Sequence, residues 1–525
     1  MNDLRLGAEA REKMLSGMNV LADAVRVTLG PRGRFVALER GAGAPVIANS
    51  GVLVAREIEL ADPFENIGAA LTREVAKRTS EAVGDGTTTA TVLAQAMVNE
   101  GVKYVTAGLD AMGVKRGIDQ AVAAAMAALK ALARPCAGRE EIAYVASISA
   151  NNDRAIGELV AAAMTQVGRD GAVTVEDGTG LEDKLEFVQG MQFDRGYLSP
   201  YFITNPEKLA SELDRPFILL CEQKASALMP LLPLLEQVAQ TGRPLLVVAD
   251  DVEGDALAAL VVNNLQGTLR SCAVKAPSFG EQRRAWLADM AVITGATLVS
   301  DELGLALDQA RLDQLGQADR VEIGRDQTVI IGGGGDAAAV AERLRQVRAM
   351  MEKTAPGYER DRLAERAARL AGGVAQLRIG AHSELELKEK KGRVEDALHA
   401  ARAAVEEGIV PGGGVALMRA RAAVSVLHGA GLAEDGGIHT VLRALEAPLR
   451  QIVTNGGQDP AEVIGRVAAG AGAYGYDAAG DAYGDLMALG IIDPLKVTRL
   501  ALQNAASIAG LMLTTDCTIA HGQES

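Results

Sequence analysis

The stretch GDGTTT at residues 84–89 is the strongest local pattern in the sequence, and Val92, Leu93 and Met97 follow it at helical spacing. Glycines let a backbone turn tightly, and the start of a helix carries unpaired N–H donors that suit phosphate. Asp85 can hold Mg²⁺ against phosphate oxygens. The stretch fits neither the P-loop nor the dinucleotide pattern. Because Gly, Asp and Thr also cap ordinary loops, a phosphate-binding loop and a plain capped loop both remain open.

Outside this stretch, helical and strand-like patterns alternate in a definite order. Apolar periodicity predicts helices over about 8–28, 64–82, 87–108 and 113–133. The middle of the chain mixes helices with short strand-like runs, and a β-strand followed by a helix is predicted from 245 to 261. An αα-hairpin over 337–371, a charged helix over 384–407 and a helical C-terminal region follow. The predicted strands lie at 172–175, 217–221, 245–249, 291–293 and 328–331.

Composition excludes several classes of protein. The 525 residues carry 68 acidic and 53 basic side chains, a net charge of −15, and only 3% aromatic residues. A basic face and stacking aromatics are typical of nucleic-acid binders, so we expect no nucleic-acid partner. The sequence contains no apolar run of about 20 residues and no signal-peptide core, so we expect no membrane partner. Four scattered cysteines indicate a reducing, cytoplasmic location, and five histidines without ligand spacing argue against a His- or Cys-based metal centre.

Other candidate features are ambiguous by themselves. The Gly-rich stretch 332–335 is predicted to connect a strand to a helix, whereas that at 412–414 is uninformative alone. The stretch TLGP at 28–31 is also explained as a helix end followed by a proline stop. Asp396 lies about 200° around its helix from buried Val394, so spacing alone predicts a solvated carboxylate. The apolar segment at 229–235, with Leu257, Val261 and Val262, forms either core or an exposed groove for other chains.

Five motifs together resemble the GroEL-type, group I chaperonins. They are GDGTTTA (84–90), TLGPRGR (28–34), MQFDRGYLSPYF (191–202), RVEDALHAARAAVEEG (393–408) and GGGVAL (412–417). The likeness covers about residues 4–519, with the motifs in the family's order and spacing. It implies a multidomain α and α/β GroEL-like fold with three domains. The mainly helical equatorial domain would comprise 1–131 and 407–525, the small intermediate domain 132–188 and 375–406, and the α/β apical domain 189–374. Gly190, Gly373 and Gly408 stand where the family has hinges.

The resemblance also implies a function. It is an ATP-driven folding machine of two stacked sevenfold rings that takes up non-native polypeptides, with a GroES-like co-chaperonin, Mg²⁺ and K⁺. Asp396 matches the catalytic carboxylate that orients the attacking water, and Asp85 matches the Mg²⁺ ligand. The nucleotide pocket would be formed by Thr28, Leu29, Gly30, Pro31, Asn49, Asp85, Gly86, Thr87, Thr88, Thr89, Gly413, Asp477, Ala478, Ala479 and Asp493. Clients and co-chaperonin would bind Tyr197, Tyr201, Phe202, Leu232, Leu235, Leu257, Val261 and Val262.

Three departures from the family pattern carry expectations of their own. Asn49-Ser50-Gly51 replaces the usual Lys-Asp-Gly, and loss of a carboxylate beside the attacking water predicts a protein that binds ATP but hydrolyses it slowly. Met229 and Pro230 replace polar residues, which predicts a more apolar groove and an altered client range. The Gly-Gly-Met tail common in the family is missing after residue 521, so effects attributed to it are not expected.

Three hypotheses follow from the sequence. The first is an ATP-hydrolysing chaperonin that encapsulates clients. The second is a divergent paralogue that cycles slowly and holds clients or assists assembly. The third is an unrelated ATP-dependent enzyme with a small-molecule substrate, for which the sequence offers no second constellation of acid, base or nucleophile.

Overall fold

The computed structural model describes residues 2–39, 46–168, 171–178, 180–206, 208–354 and 357–521. Residues 355 and 356, where the predicted hairpin is interrupted, lie outside the described residues. The segment after residue 521, to which the expectation about the Gly-Gly-Met tail refers, also lies outside them. The α-helices are α1 (Gly7–Arg26), α2 (Gly51–Glu57), α3 (Pro63–Val83), α4 (Thr87–Thr106), α5 (Ala111–Leu132), α6 (Arg139–Ser149), α7 (Arg154–Val167), α8 (Leu232–Thr241), α9 (Gly254–Gln266), α10 (Gly280–Thr294), α11 (Ala337–Lys353), α12 (Tyr358–Gly372), α13 (Glu384–Glu407), α14 (Val415–Ser425), α15 (Leu432–Ala444), α16 (Ala447–Asn455), α17 (Pro460–Ala469) and α18 (Leu495–Thr514).

The strands are short. They are β1 (Asn2–Leu6), β2 (Val36–Leu38), β3 (Val46–Ala48), β4 (Ala172–Asp177), β5 (Lys184–Val188), β6 (Gly190–Phe193), β7 (Ser211–Asp214), β8 (Phe217–Leu220), β9 (Leu245–Ala249), β10 (Ser271–Lys275), β11 (Gly316–Ile323), β12 (Thr328–Gly333), β13 (Val374–Ile379), β14 (Ile409–Pro411), β15 (Tyr474–Asp477), β16 (Ala482–Asp485), β17 (Ile492–Pro494) and β18 (Cys517–His521). Among the described residues, no helix is both long and apolar enough to cross a membrane.

The chain divides into two compact units. Unit 1 comprises Met1–Ala161 and Lys388–Ser525, and unit 2 comprises Ala162–Leu387, so the divisions fall within α7 and α13. The predicted intermediate domain has residues in both units, and the three-domain division remains a prediction. The proposed hinge glycines all lie at element ends: Gly190 opens β6, Gly373 precedes β13, and Gly408 joins α13 to β14.

Unit 1 is mainly helical. The predicted first helix is confirmed as α1, which buries Met14, Met18, Leu21 and Val25 along one face, as the periodicity indicated. Its largest core joins α1, α4, α5, α14, α15 and α18. The strands of this unit form antiparallel pairs, β1 with β18, β2 with β3, β14 with β17 and β15 with β16. The last two pairs carry residues of the candidate site described below.

Unit 2 is built on an α/β sheet. Its larger sheet has the order β10-β9-β8-β11-β12-β6, with β7 on β11, and β8, β9 and β10 run parallel. The predicted β-strand and helix at 245–261 are confirmed as β9 and α9. A second sheet has the order β4-β13-β5. The larger sheet contains fully apolar, buried strands, β8 and β9, because helices cover its faces.

The strand predicted at 291–293 is wrong, because these residues lie in the last turn of α10. Trp286, Leu287, Met290 and Ile293 are buried on α10 at spacings that belong to one helix face. A three-residue apolar run cannot separate a strand from such a face, and the flanking polar residues of α10 hid the longer period.

A buried carboxylate joins three helices of unit 2. Asp289 on α10 is 1% exposed and accepts hydrogen bonds from Arg343 Nε on α11 at 2.7 Å. It also accepts bonds from Arg366 on α12, at 2.7 Å from Nε and 2.9 Å from Nη2. Two guanidinium groups thus neutralise one carboxylate inside the helical layer, which fixes the predicted αα-hairpin against α10.

Candidate nucleotide-binding site

The GDGTTT stretch forms a turn between two helices. α3 ends at Val83, and Gly84 caps it with φ 70° while its N–H donates to Ser80 O at 2.8 Å. Gly86, with φ 78°, precedes the first residue of α4, Thr87. Both glycines occupy the left-handed region that side chains disfavour. The prediction that a helix begins at Thr87 is confirmed.

Three chain segments meet at the start of α4. Thr28 Oγ1 lies 3.2 Å from Thr88 Oγ1, which brings the end of α1 to this turn. Gly51 opens α2 so close by that a Cβ there would lie 2.2 Å from Thr88 Oγ1. The first N–H groups of α4 have no partner within the helix and carry its positive dipole end. This arrangement suits the oxygens of a phosphate group.

The loop at 28–31 both ends α1 and serves this convergence. Thr28 Oγ1 donates to Val25 O at 2.9 Å, and Gly30 has φ 85°. Asn455, the last residue of α16, donates from Nδ2 to Arg26 O and to Leu29 O, each at 2.9 Å. One amide therefore holds the backbone of the loop in place. The two explanations left open by the sequence are compatible, because the loop is a helix end that also reaches Thr88.

Three half-buried carboxylates, Asp85, Asp396 and Asp493, surround the same region. Burial raises the pKa of Asp85, which the N–H of Gly86 partly offsets. Burial and the charge of Asp85 raise the pKa of Asp396 to about 8, with a smaller contribution from Glu395. Burial and Asp85 likewise raise the pKa of Asp493 to about 7. The charge of Asp85 thus disfavours ionisation of both Asp396 and Asp493.

The spacing-based prediction that Asp396 is a solvated carboxylate is wrong. α13 buries a face of small residues, among which Ala400 and Ala404 pack against Val145 of α6. The helix also approaches the turn so closely that a Cβ on Gly84 would lie 2.5 Å from His399 Nδ1. Tertiary packing on two sides therefore half-buries Asp396, which a single-helix projection cannot show.

The remaining pocket residues lie on the two strand pairs of unit 1. In the β14–β17 pair Asp493 is opposite Val410, and a Cβ on Gly412 would lie 3.0 Å from Asp493 Oδ1. Asp477 ends β15, and its Oδ1 accepts the N–H of Ala479 at 2.9 Å. The structure thus brings the three predicted nucleotide loops, at 28–31, 412–414 and 477–479, into one unit with the start of α4. That they bind a nucleotide remains a prediction.

Position 50 lies at the N-terminus of α2. Ser50 is the N-cap residue, with extended backbone, and its side chain makes no capping hydrogen bond. Its neighbour Gly51 packs on Thr87 and Thr88. Asn49 is half-buried beside it. The position that lacks the family's carboxylate is therefore next to the start of α4.

Two side chains that organise this region were missed by sequence reasoning. Asn455 holds the 28–31 loop, and Arg32 donates from Nη2 to Ala479 O at 3.1 Å and from Nη1 to Gly456 O at 3.4 Å. Both act on backbone carbonyls from distant parts of the chain. Neither residue type nor spacing signals such a role, because only the tertiary fold supplies the acceptors.

The described residues offer no group of three or more His, Cys, Asp or Glu side chains placed to hold a metal ion. Asp85, Asp396 and Asp493 also form no ion pair with a basic side chain in the described part of the chain. This donor set fits Mg²⁺ that takes one or two protein carboxylates and otherwise phosphate and water oxygens. It does not fit an all-protein metal cage.

The predicted client-binding residues lie in unit 2, mostly around α8 and α9, and differ in exposure. Tyr201 is 64% and Val262 48% exposed, whereas Phe202 and Leu235 are 0% and 6% exposed and belong to the core. Tyr197, Leu232, Leu257 and Val261 are half-buried. Met229 is 74% exposed and Pro230 half-buried, and both precede α8. Exposed and half-buried residues can form an apolar surface here, and Phe202 and Leu235 can only support it from below.

Comparison with known families agrees with this geometry. The model of the TCP-1/cpn60 chaperonin family matches residues 21–228 and 229–523, nearly the whole chain. The multidomain fold, with a mainly helical unit and an α/β unit, is consistent with a GroEL-like fold. The chain therefore belongs to the TCP-1/cpn60 chaperonin family and is a protein-folding chaperone of the GroEL type.

Proposed function

We propose that this chaperonin binds and hydrolyses ATP and uses the energy to fold non-native polypeptides inside a ring cavity. The observation that carries the proposal is the meeting of distant segments at the turn before α4. Thr28 Oγ1 lies 3.2 Å from Thr88 Oγ1, His399 of α13 lies against Gly84, and Val497 of α18 lies against Gly86. The turn contains Asp85, and the last two segments carry Asp396 and Asp493. Helix-end N–H donors suit the phosphates, and the carboxylates supply a cation ligand and a group for orienting water. Members of this family are generally ATPases.

Each residue of the site has a role in this proposal. The N–H groups at the start of α4 and the hydroxyls of Thr28 and Thr88 bind phosphate oxygens. Asp85 holds Mg²⁺, which when bound neutralises phosphate charge and the repulsion among the carboxylates. Asp396 accepts a hydrogen bond from the attacking water and orients it toward the terminal phosphorus. Positioning and charge stabilisation are what phosphoryl transfer mainly requires of a protein.

The exposed apolar residues of unit 2 would bind clients. Tyr201 and Val262 present apolar surface, which suits unfolded chains because these share exposed apolar groups rather than a sequence. We further propose sevenfold rings, stacked in pairs, that a GroES-like co-chaperonin closes. The four cysteines are free, which supports our placement of the protein in a reducing cytoplasm.

The alternative is a slow ATPase that holds clients or serves a few substrates. It is favoured by one observation: Ser50, beside Gly51 and the start of α4, supplies a hydroxyl where the family has a carboxylate. A hydroxyl cannot act as a base at neutral pH, so Asp396 alone would orient the water.

The two functions differ in ATP turnover and in client refolding. The test measures steady-state hydrolysis with Mg²⁺, with and without K⁺, on the purified full chain. It also measures recovery of a chemically denatured enzyme with ATP and a GroES-like protein. Turnover with refolding supports the first function. A ring-sized particle that binds ATP, barely hydrolyses it and only suppresses aggregation supports the alternative. A protein that neither forms a large assembly nor binds ATP contradicts both.

A further inference from the structure

Arg419 lies on α14, the helix that follows the glycine loop at 412–414, and among the described residues its guanidinium donates to three backbone carbonyls. Nε donates to Gly472 O and Nη1 to Val467 O, each at 2.9 Å. Nη2 donates to Tyr474 O at 2.7 Å. Val467 lies in the last turn of α17, and Tyr474 opens β15. One side chain thus connects α14, the end of α17 and the base of the β15–β16 hairpin.

Holding the Arg419 guanidinium in this half-buried place costs free energy, and a role in positioning the three segments would account for that cost. Burial lowers the pKa of the Arg419 guanidinium, and Arg419 has no carboxylate partner among the ion pairs of the described residues. Its compensation comes from three carbonyl dipoles, one of which, that of Val467, lies at the negative end of α17 and also accepts the N–H of Gly470 at 3.2 Å. Arginine suits the task because its planar fork aims several donors at fixed angles.

Two of the elements that Arg419 connects, α14 and β15, lie next to predicted nucleotide loops. α14 starts directly after Gly413 and Gly414, and β15 ends at Asp477, where the 478–481 turn begins. The distance between these loops is therefore set where Arg419 binds, at the base of the hairpin. Apolar contacts of Val415 and Met418 with Tyr476 and Ala478 lie between the same elements. These contacts are non-directional, whereas the three hydrogen bonds fix direction and register.

We propose that Arg419 is a positioning residue for nucleotide binding: it holds the 477–479 turn against the glycine loop and so preorganises the pocket. The proposal rests on the proposed ATP-binding function. It predicts a defect in affinity rather than in chemistry, because Asp396 lies on α13 and does not contact Arg419. Misplacing a binding loop by about 1 Å can cost 10²-fold, so we expect about 10- to 100-fold weaker nucleotide binding when the three donors are removed.

The test compares Arg419→Met with a control on the same helix. Arg421 is also half-buried, but it binds Leu442 O at 3.1 Å and Glu446 Oε1 at 2.7 Å, away from the nucleotide loops. Calorimetric titration with Mg²⁺·ADP gives Kd, and steady-state hydrolysis gives KM and kcat for the full-length protein. For Arg419→Met we expect Kd and KM to rise together and kcat to change less than about twofold. Arg421→Met should lose thermal stability without a change in Kd, and Arg419→Lys should recover part of the affinity.

The outcomes separate this inference from the proposed function. Unchanged Kd in Arg419→Met would mean that the apolar contacts alone place the turn, and the inference would be wrong. Equal losses in Arg419→Met and Arg421→Met would show a merely structural role, which also overturns it. If Arg419→Met does not fold, Arg419→Lys decides between the outcomes. Faster amide exchange of β15 together with a raised Kd supports the inference. Amide exchange and Kd that both equal those of the native protein contradict it. A native protein that binds no ADP refutes the proposed function itself.

Discussion

Replacing Ser50 by Asp tests whether the residue at position 50 limits the proposed hydrolysis of ATP. Ser50 precedes α2 with extended backbone, and its side chain is not engaged in a capping bond. Its neighbour Gly51 is in contact with Thr87 and Thr88 at the start of α4. A carboxylate introduced at position 50 therefore enters the region where the phosphates are expected to bind. We expect Ser50→Asp to hydrolyse ATP faster than the native protein.

The size of the effect follows from the groups already present. A positioned base typically contributes 10²–10⁴-fold, and Asp396 already supplies one carboxylate. A second carboxylate should thus add about 10- to 100-fold rather than the full range. An Asp at this position can also accept a capping bond from the first N–H groups of α2, which is worth about 1 kcal/mol. Ser50→Asp should therefore be both faster and slightly more stable.

Ser50→Asn is the matched control because it can cap α2 without adding charge. Hydrolysis is measured at saturating ATP with Mg²⁺ and K⁺ for the native protein and both variants, together with thermal unfolding. Fast hydrolysis by Ser50→Asp with slow hydrolysis by Ser50→Asn would show that the lack of a carboxylate at position 50 limits the rate of the native protein. Equal rates for the native protein and Ser50→Asp would refute the reasoning, since Asp396 alone would then suffice. Equal acceleration by Asn and Asp would assign the effect to helix capping.

Four further substitutions probe the site and other parts of the molecule. Asp396→Asn should lower turnover by about 10²–10⁴-fold while ADP titration shows retained binding. An unchanged rate would exclude Asp396 as the catalytic carboxylate. Burial and Asp85 raise the pKa of the folded-state carboxyl from 3.8 to about 8, so Asp396→Asn should also raise the melting temperature of nucleotide-free protein, by an amount that grows from about pH 4 to about pH 8 and is constant above it. Asp289→Asn leaves the two half-buried guanidinium groups of Arg343 and Arg366 without their carboxylate and should cost about 3 kcal/mol of stability. Unfolding is followed through the fluorescence of Trp286, the only tryptophan of the chain. A loss below about 1 kcal/mol would contradict the role of the network. Val262→Glu should weaken the capture of a denatured client while unit 2 stays folded, because Val262 is exposed. Phe202→Glu should unfold that unit, because Phe202 is buried in its core. Full client capture by Val262→Glu would exclude Val262 from the client-binding surface.

The helical part of the fold was predictable because its signal is local. α1 buries Met14, Met18, Leu21 and Val25 at the spacing that one helix face requires, and the boundaries of α4 follow from the glycines before it. Where the apolar run was short the prediction was wrong, as at 291–293, because three residues carry no period. The division into compact units was not visible locally, since it depends on segments that are far apart in the sequence.

The site was predictable only through the combined motifs. Spacing assigned Asp396 to solvent because a helical projection takes only one helix into account. The burial of Asp396 depends on the packing of α13 against α6 and against the turn at Gly84. Asn455 and Arg419 were not predictable at all. Their partners are backbone carbonyls, which every residue carries, so no residue type marks the acceptor.

The electrostatics of the site explain why its parts must act together. Asp85, in the turn before the positive end of α4, repels both Asp396 and Asp493, and no basic side chain forms an ion pair with these three carboxylates in the described part of the chain. Folding alone therefore leaves Asp396 and Asp493 with raised pKa values, which disfavours the ionised form that orients water. A cation bound at Asp85 would offset the repulsion by Asp85 and so favour the ionised form of Asp396. On this reasoning, nucleotide binding prepares the carboxylate for catalysis, and hydrolysis without the cation is suppressed by the same repulsion.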